Sequence, residues 1–269
     1  MNSSFFDLTN EVVVLTGVSG LLGSNYANIL LAYGAKVIGV DIASSDRILQ
    51  LIEEFPTSFQ FIHGDVSKKE SLLAVRDTIN QSKITPTVLI NNAAIDSPPS
   101  APSAENGPFE DYPEESWDKV IEVNLKGVYL CCQIFGAMMA KAGRGSIINV
   151  GSIYGIVSPD QSLYEYRRTR GEIFYKPSAY SAAKSGILNL TRYLAVYWAK
   201  NGIRVNSLSI AGVYNRQEDA FLEAYCKRIP IGRMANPSDY YGSIIFLSSQ
   251  ASGYMTGHNL IVDGGWTAI

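Results

Sequence analysis

A tyrosine and a lysine stand four positions apart in Tyr180-Ser181-Ala182-Ala183-Lys184. Four positions is about one helical turn, so the two side chains share a face. A phenol ordinarily titrates near ~10, too high for easy proton transfer at neutral pH. An ammonium beside it favours the phenolate and brings it toward the working range. On its own such a pair is an ordinary helix surface pair, and its meaning depends on its surroundings. A second group lies near the amino end, in Thr16-Gly17-Val18-Ser19-Gly20-Leu21-Leu22-Gly23, between an apolar run and a helical pattern. Glycines there permit a tight turn, close approach of the backbone to a pyrophosphate, and close packing of helix on strand. The helix that follows points free N–H groups and its dipole at any bound anion.

Two carboxylates extend this second group. Asp41 closes the second apolar run, 18 residues past Gly23. A carboxylate there accepts hydrogen bonds from adenosine ribose hydroxyls and repels a 2′-phosphate, which favours NAD over NADP. It also reads as a cap or turn residue ahead of Ala43-Ser44-Ser45-Asp46. Asp65, in Gly64-Asp65-Val66, closes the third run. It reads either as a hydrogen-bond partner for adenine or as the N-cap of a following helix.

These residues must be held by an alternation of strands and helices. Apolar runs at 12–16, 36–41, 59–62, 87–90, 146–150, 204–209 and 259–262 predict seven strands. Helical stretches fall after the first turn and at 68–82, 115–141, 178–200 and 237–248. Strands separated by helices imply a parallel sheet covered on both faces, and right-handed crossovers leave a doubly wound, Rossmann-type α/β fold in one domain, residues 1–269. Two segments interrupt the rhythm. Residues 96–113 hold five prolines, and residues 155–177 are dense in tyrosine and arginine. Both follow strand ends where open α/β sheets bind ligands. They read as a substrate lid or as plain surface or subunit-contact loops.

With these elements in order, the chain resembles the classical short-chain dehydrogenase/reductase family over nearly its whole length. The motifs are Thr16-Gly17 to Gly23, Asp65-Val66, Asn91-Asn92-Ala93-Ala94, Asn124 in Val123-Asn124-Leu125-Lys126-Gly127, Ser152 in Asn149-Val150-Gly151-Ser152, Tyr180 with Lys184, Arg204-Val205-Asn206, and Val262-Asp263-Gly264-Gly265. The resemblance implies an alcohol–carbonyl oxidoreductase in which Tyr180 is the general acid/base. Lys184 would hold the nicotinamide ribose and depress the tyrosine. Ser152 would hydrogen-bond the substrate oxygen, and Asn124 would place a water in a proton relay. Gly17, Ser19, Gly20, Leu21, Leu22, Gly23, Asp41, Ile42, Asp65, Val66, Asn92, Ala93, Ala94, Tyr180, Lys184, Ala211, Gly212 and Val213 would line the dinucleotide. Hydride chemistry belongs to the nicotinamide, and the protein supplies position and proton transfer. The family also implies a homo-oligomer, a tetramer through the helices at 115–141 and 178–200.

The chain departs from the family in three places. Leu21 occupies a usual glycine position, and Gly17, Gly20 and Gly23 follow the spacing of the extended branch. Ile210-Ala211 replaces the usual Pro-Gly after the sixth strand. Ser152 and Tyr180 are 28 positions apart, about twice the family's usual interval, because of the Tyr/Arg-rich segment. That segment and the stretch from Gly232 to Trp266 are similar to a subgroup linked with sugar modification, including flagellin-glycan and sialic-acid-like pathways. From it, Tyr154, Arg167, Arg168, Arg170 and Lys176 are expected to meet the substrate beside Ser152. Three arginines in four positions suit phosphate or carboxylate.

Composition narrows the classes. A chain of 269 residues with net charge −3 shows no basic excess for nucleic acid or an anionic membrane surface. Cys131, Cys132 and Cys226 form no disulfide framework or metal spacing, which points to a reducing cytoplasm and no bound metal. The amino end lacks the layout of a signal peptide, and no apolar run long enough for a membrane span is expected. His63 and His258 read as structural. The leading expectation is an NAD-dependent oxidoreductase on a polar, sugar-like small molecule. The alternatives are a 3-ketoacyl thioester reductase and a non-enzymatic dinucleotide-binding scaffold.

Overall fold

Short runs rich in Val, Ile and Leu, buried on both faces, are what a parallel sheet requires. In a computed structural model, which describes residues 5–96 and 103–269, seven such runs form one sheet. They are β1 (Val12–Thr16), β2 (Lys36–Asp41), β3 (Phe59–His63), β4 (Val88–Asn91), β5 (Gly145–Ser152), β6 (Ile203–Ile210) and β7 (Asn259–Val262). Their order is β3-β2-β1-β4-β5-β6-β7, and every neighbouring pair is parallel. The direction of winding reverses between β1 and β4, so a crevice opens beyond the carboxyl ends of these strands. Thr16, Asp41, Asn91, Ser152 and Ile210 all end strands on that edge.

The strands lie where the sequence predicts, with β5 and β6 running longer, to eight residues each. The extension carries Ser152 into register with Ile210 at the very end of the sheet. The helices are α1 (Leu21–Ala32), α2 (Asp46–Glu54), α3 (Lys69–Gln81), α4 (Glu114–Ile121), α5 (Gly127–Cys131), α6 (Ala137–Ala142), α7 (Glu165–Arg168), α8 (Ser178–Trp198), α9 (Asp219–Cys226) and α10 (Tyr241–Ser248). Helices α2, α7 and α9 are not foreseen in the sequence because each is nine residues or shorter. The helix expected over 115–141 is continuous from Glu114 to Ala142 but contains two π-helical turns, Glu122–Lys126 and Cys132–Gly136. This 29-residue run is, contrary to expectation, long and apolar enough to cross a membrane. Here Val128, Leu130, Cys131, Phe135 and Met139 are buried in the protein's own core.

The core has two layers, one on each face of the sheet. Leu15, Val18, Tyr26, Leu30, Leu51 and Leu247 pack on one side, and Val14, Leu72, Phe135, Ile147, Leu194 and Trp198 on the other. A third, smaller cluster stands beyond the carboxyl ends of β5 and β6. It joins Leu163, Tyr164 and Phe174 of the Tyr/Arg-rich insertion to Tyr225, Ile229, Met234 and Trp266. The insertion therefore has a core of its own, and each fully buried aromatic adds about 1.5–3 kcal/mol to holding it down. Of the Pro-rich segment 96–113, residues 97–102 lie outside the described residues, while short helical turns follow at Ser103–Asn106 and Phe109–Asp111.

Candidate active site

The glycine turn forms a cradle at the switch point. Gly17 adopts φ +67°, a left-handed conformation that suits glycine, and its N–H bonds Val40 O at 2.9 Å. Asn92 clamps the turn from β4, donating Nδ2 to Thr16 O and Gly17 O at 3.1 Å each. Thr16 Oγ1 accepts the N–H groups of Asn92 and Ala93 at 3.1 Å, and Ala94 continues that segment. A Cβ on Gly23 would lie 2.8 Å from Gly17 C and Val18 Cα, so only glycine lets the turn fold back on α1. Helix α1 starts after Gly20 with no side-chain cap, and the exposed Leu21 takes the position of the missing glycine without closing the cradle. The first N–H groups of a helix have no partner within it. An uncapped helix start in a glycine cradle fits a dinucleotide's diphosphate.

Both oxygens of Asp41 already serve the backbone. Oδ2 accepts Ser19 N–H at 2.9 Å and Oδ1 accepts Ile42 N–H at 2.7 Å, while Ser19 Oγ donates to Ala43 O. The turn role is therefore realised, and each oxygen keeps a further lone pair for a ribose hydroxyl. Asp65 is not the N-cap of α3, because Lys68 occupies that position. Its Oδ1 instead accepts the N–H and hydroxyl of Ser67 at 2.8 and 2.7 Å, closing a turn upstream. Val66 is buried against Gly127.

At the far side of the crevice, Pro177 (φ −62°, ψ 148°) breaks the chain into α8, which carries Tyr180 and Lys184. Lys184 is buried, donates Nζ to Val150 O at 2.8 Å, and lies 5.7 Å from the Tyr180 ring centre. Ser152 Oγ accepts Tyr154 N–H at 3.1 Å and lines the same cavity as the Tyr180 phenol. Asn124, fully buried in the first π turn, spends its amide on one residue. Its Oδ1 accepts Ile95 N–H at 2.8 Å and its Nδ2 donates to Ile95 O at 2.7 Å. That fixes the backbone beside Asp96.

Asp96 was not read as a site residue in the sequence, although it lies two positions past the Asn-Asn-Ala-Ala motif. It pairs with Lys176, whose Nζ lies 5.3 Å from the Tyr180 ring centre. Burial pushes the Tyr180 phenol upward, the Asp96 carboxylate adds to this, and the Ser152 hydroxyl opposes it. The direction is opposite to the one expected from Lys184. That lysine is itself lowered to about 8, because burial disfavours its charge more than Asp96 favours it.

Leu22, Asp96, Ser152, Lys176 and Tyr180 line a cavity of about 530 Å³, whereas the buried Lys184 and Asn124 do not. Tyr154, Tyr164, Tyr166, Phe174, Phe221 and Tyr225 wall it, and Ala211, Gly212 and Val213 border it after β6. Lys176 and Arg216 are its cations, Asp96 and Glu218 its carboxylates. Arg167, Arg168 and Arg170, expected to reach the substrate, do not line it. Arg167 pairs with Glu172 and covers the Phe174 ring at 4.3 Å. Arg168 donates to Glu165 and to the carbonyls of Gln161 and Phe174, and Arg170 pairs with Glu218. A larger groove, about 690 Å³, between α3 and α6 lies away from these groups. Among the described residues, no cluster of His, Cys, Asp and Glu gathers as a metal site.

Comparison with known proteins places this geometry in context. A family model described as enoyl-(acyl carrier protein) reductase matches residues 17–267. The chain is 32% identical to 2-dehydro-3-deoxy-D-gluconate 5-dehydrogenase of Bacillus subtilis (strain 168), over 97% of this chain and 96% of that protein. A short-chain dehydrogenase from Leptospira borgpetersenii serovar Hardjo-bovis with bound NAD+ superposes with a TM-score of 0.84 and 33% identity, covering 99% of this chain and 97% of that one. A gluconate 5-dehydrogenase from Burkholderia cenocepacia, in complex with NADP and tartrate, superposes with a TM-score of 0.84 and 26% identity, covering 98% of each. The glycine cradle, the Ser152–Tyr180–Lys184 group and these matches agree: the chain belongs to the short-chain dehydrogenase/reductase family and is an oxidoreductase using a nicotinamide dinucleotide.

Proposed function

We propose that the protein interconverts a secondary alcohol and a ketone on a small polyhydroxylated, sugar-derived molecule, with NAD(H) as the preferred dinucleotide. The observation that carries this reading is that Ser152 and Tyr180 line one aromatic-walled cavity together with the Asp96–Lys176 ion pair. Ser152 and Tyr180 bind the substrate oxygen, and Tyr180 moves its proton. Lys184 holds a ribose hydroxyl and faces Tyr180 with positive charge. The dinucleotide, when bound, supplies or accepts the hydride. Asp96 accepts from substrate hydroxyls, Lys176 donates to them, and the aromatic rings cover the sugar's apolar faces. Asp41 sets the cofactor preference, since a 2′-phosphate would meet its carboxylate. A long acyl thioester leaves the Asp96–Lys176 pair in this cavity without a use, although the matching family model names an acyl-carrier substrate.

The same reading includes a homotetramer in the cytoplasm. The exposed Tyr193, Val196 and Tyr197 on α8 give an assembly somewhere to bury apolar surface, and the three free cysteines suit a reducing compartment. The decisive experiment is a screen of sugar acids, polyols and acyl thioesters, followed by NADH absorbance, on wild type and Tyr180→Phe. Loss of the hydroxyl should lower turnover about 10²–10⁴-fold while NADH binding persists. Near-normal turnover in the phenylalanine variant overturns the mechanism.

A further inference from the structure

The peptide bond between Ala211 and Gly212 is held from both sides. Tyr240 Oη donates to Ala211 O at 3.1 Å, and Gly212 N–H donates to Tyr225 Oη at 2.7 Å. Both tyrosines are buried. A Cβ on residue 212 would lie 2.8 Å from Tyr225 Oη, so the phenol can approach only a glycine. This peptide follows β6, whose last residue is in register with Ser152, and it borders the cavity that contains Tyr180. Whatever exchanges hydride with a carbon held at Ser152 and Tyr180 must lie against this stretch. Two phenols thus supply the fixity that Ile210-Ala211, without a proline, does not provide.

Tyr225 also faces the other way. Its ring packs on Trp266 at 4.5 Å and stacks on Phe221 at 5.3 Å. Phe221 meets Tyr164 at 5.6 Å, and Tyr164 meets Phe174 at 4.6 Å. An unbroken aromatic row therefore runs from the insertion, along the substrate cavity, to the hydroxyl that holds Gly212.

We propose that Tyr225 is a positioning residue that fixes the nicotinamide end of the dinucleotide through the Ala211–Gly212 peptide and ties it to the aromatic wall of the substrate cavity. This rests on the dinucleotide reading above and assigns that loop a specific anchor. In Tyr225→Phe the ring and its stacking remain and only the acceptor oxygen is lost, which leaves a buried N–H without a partner. The adenosine, diphosphate and proximal ribose bind elsewhere, at the glycine cradle and Asp41.

The test is calorimetric titration of NADH and of ADP-ribose, which lacks the nicotinamide, into wild type and Tyr225→Phe. NADH affinity should fall about tenfold in the variant while ADP-ribose affinity stays within about twofold. Equal losses for both ligands, or no loss for either, overturn the proposal. Tyr240→Phe removes the bond on the opposite side of the same peptide. It should give the same split, and the same two outcomes would count against the proposal if Tyr225→Phe does not fold. Wild type that binds neither ligand would instead overturn the dinucleotide reading itself.

Discussion

Arg168→Ala separates a structural insertion from a substrate-gripping one. Arg168 Nη2 donates to Gln161 O at 2.8 Å and Nη1 to Phe174 O at 3.0 Å, so the side chain ties the short helical turn at Gln161–Tyr164 to the returning segment at Phe174. Its side chain is 22% exposed. A hydrogen bond to a charged group contributes about 1.5–3 kcal/mol, and partial access to water takes each of these below that range. The pair with Glu165 adds little, since that carboxylate is 61% exposed. Removing the side chain should therefore cost the insertion about 2 kcal/mol of local stability. At about 1.36 kcal/mol per factor of ten, the open population rises roughly 30-fold. Chymotrypsin reads this directly, because Tyr164, Tyr166, Phe174 and Tyr175 lie in the segment and cleavage follows the open population when reclosing is fast. Cleavage within 155–177 should accelerate about that much, with the global melting temperature nearly unchanged. Arg170→Ala is the control: its pair with Glu218 is more than half exposed on both sides and should leave the cleavage rate within about threefold. Equal cleavage rates for Arg168→Ala and wild type, with a raised KM for substrate, would refute the structural account and restore Arg168 to the binding site.

Three further outcomes are expected. Gly23→Ala should retain the fold but lose NADH binding by at least about 100-fold, measured by titration, because its Cβ would meet backbone atoms of the turn at 2.8 Å and force the cradle open. The pH dependence of stability should carry the signature of Lys184, lowered to about 8 from 10.5. Between those values the unfolded chain holds more protons, so stability should rise with pH, by up to about 3 kcal/mol. Denaturation midpoints compared at several pH values in this window should show that rise in wild type and not in Lys184→Met. Asp96→Asn removes a carboxylate that raises the Tyr180 phenol, so the pH–rate limb for alcohol oxidation should move to lower pH. A limb that stays in place or moves upward removes Asp96 from the catalytic electrostatics.

The strands were legible because buried parallel strands must be apolar, and the intervening helical patterns leave few other topologies. The glycine turn and the Tyr180–Lys184 pair were legible because a phosphate cradle needs glycine between strand and helix and a helix puts positions four apart on one face, whereas Ser152, 28 positions from Tyr180, reaches the same cavity only through the end of the sheet. The arginines show the limit of local reading. Charge density identified a cationic cluster, but the direction of each guanidinium depends on acids and carbonyls that compete for it. Two of those acids, Glu165 and Glu172, lie within five positions of their partners, so the short-range pairing was open to notice. Asp96, Tyr225 and Glu218 were not, since their positions at the cavity follow from how the insertion and α9 fold over the sheet edge.

The turning away of the arginines bears on the substrate itself. Arg167, Arg168 and Arg170 spend their guanidiniums on acids, carbonyls and a ring of the insertion and its neighbours, outside the cavity. The cavity instead carries two cations, Lys176 and Arg216, and two carboxylates, Asp96 and Glu218, with Lys176 already joined to Asp96. For a substrate carboxylate to reach Lys176, it must displace Asp96 and then face it. A hydroxyl-rich neutral molecule meets no such opposition: its oxygens accept from Lys176, its O–H groups donate to Asp96, and the ion pair stays intact. The arginine cluster that first suggested an anionic substrate therefore gives no ground for one once its partners are known, and a substrate carboxylate would have to turn to Arg216 instead.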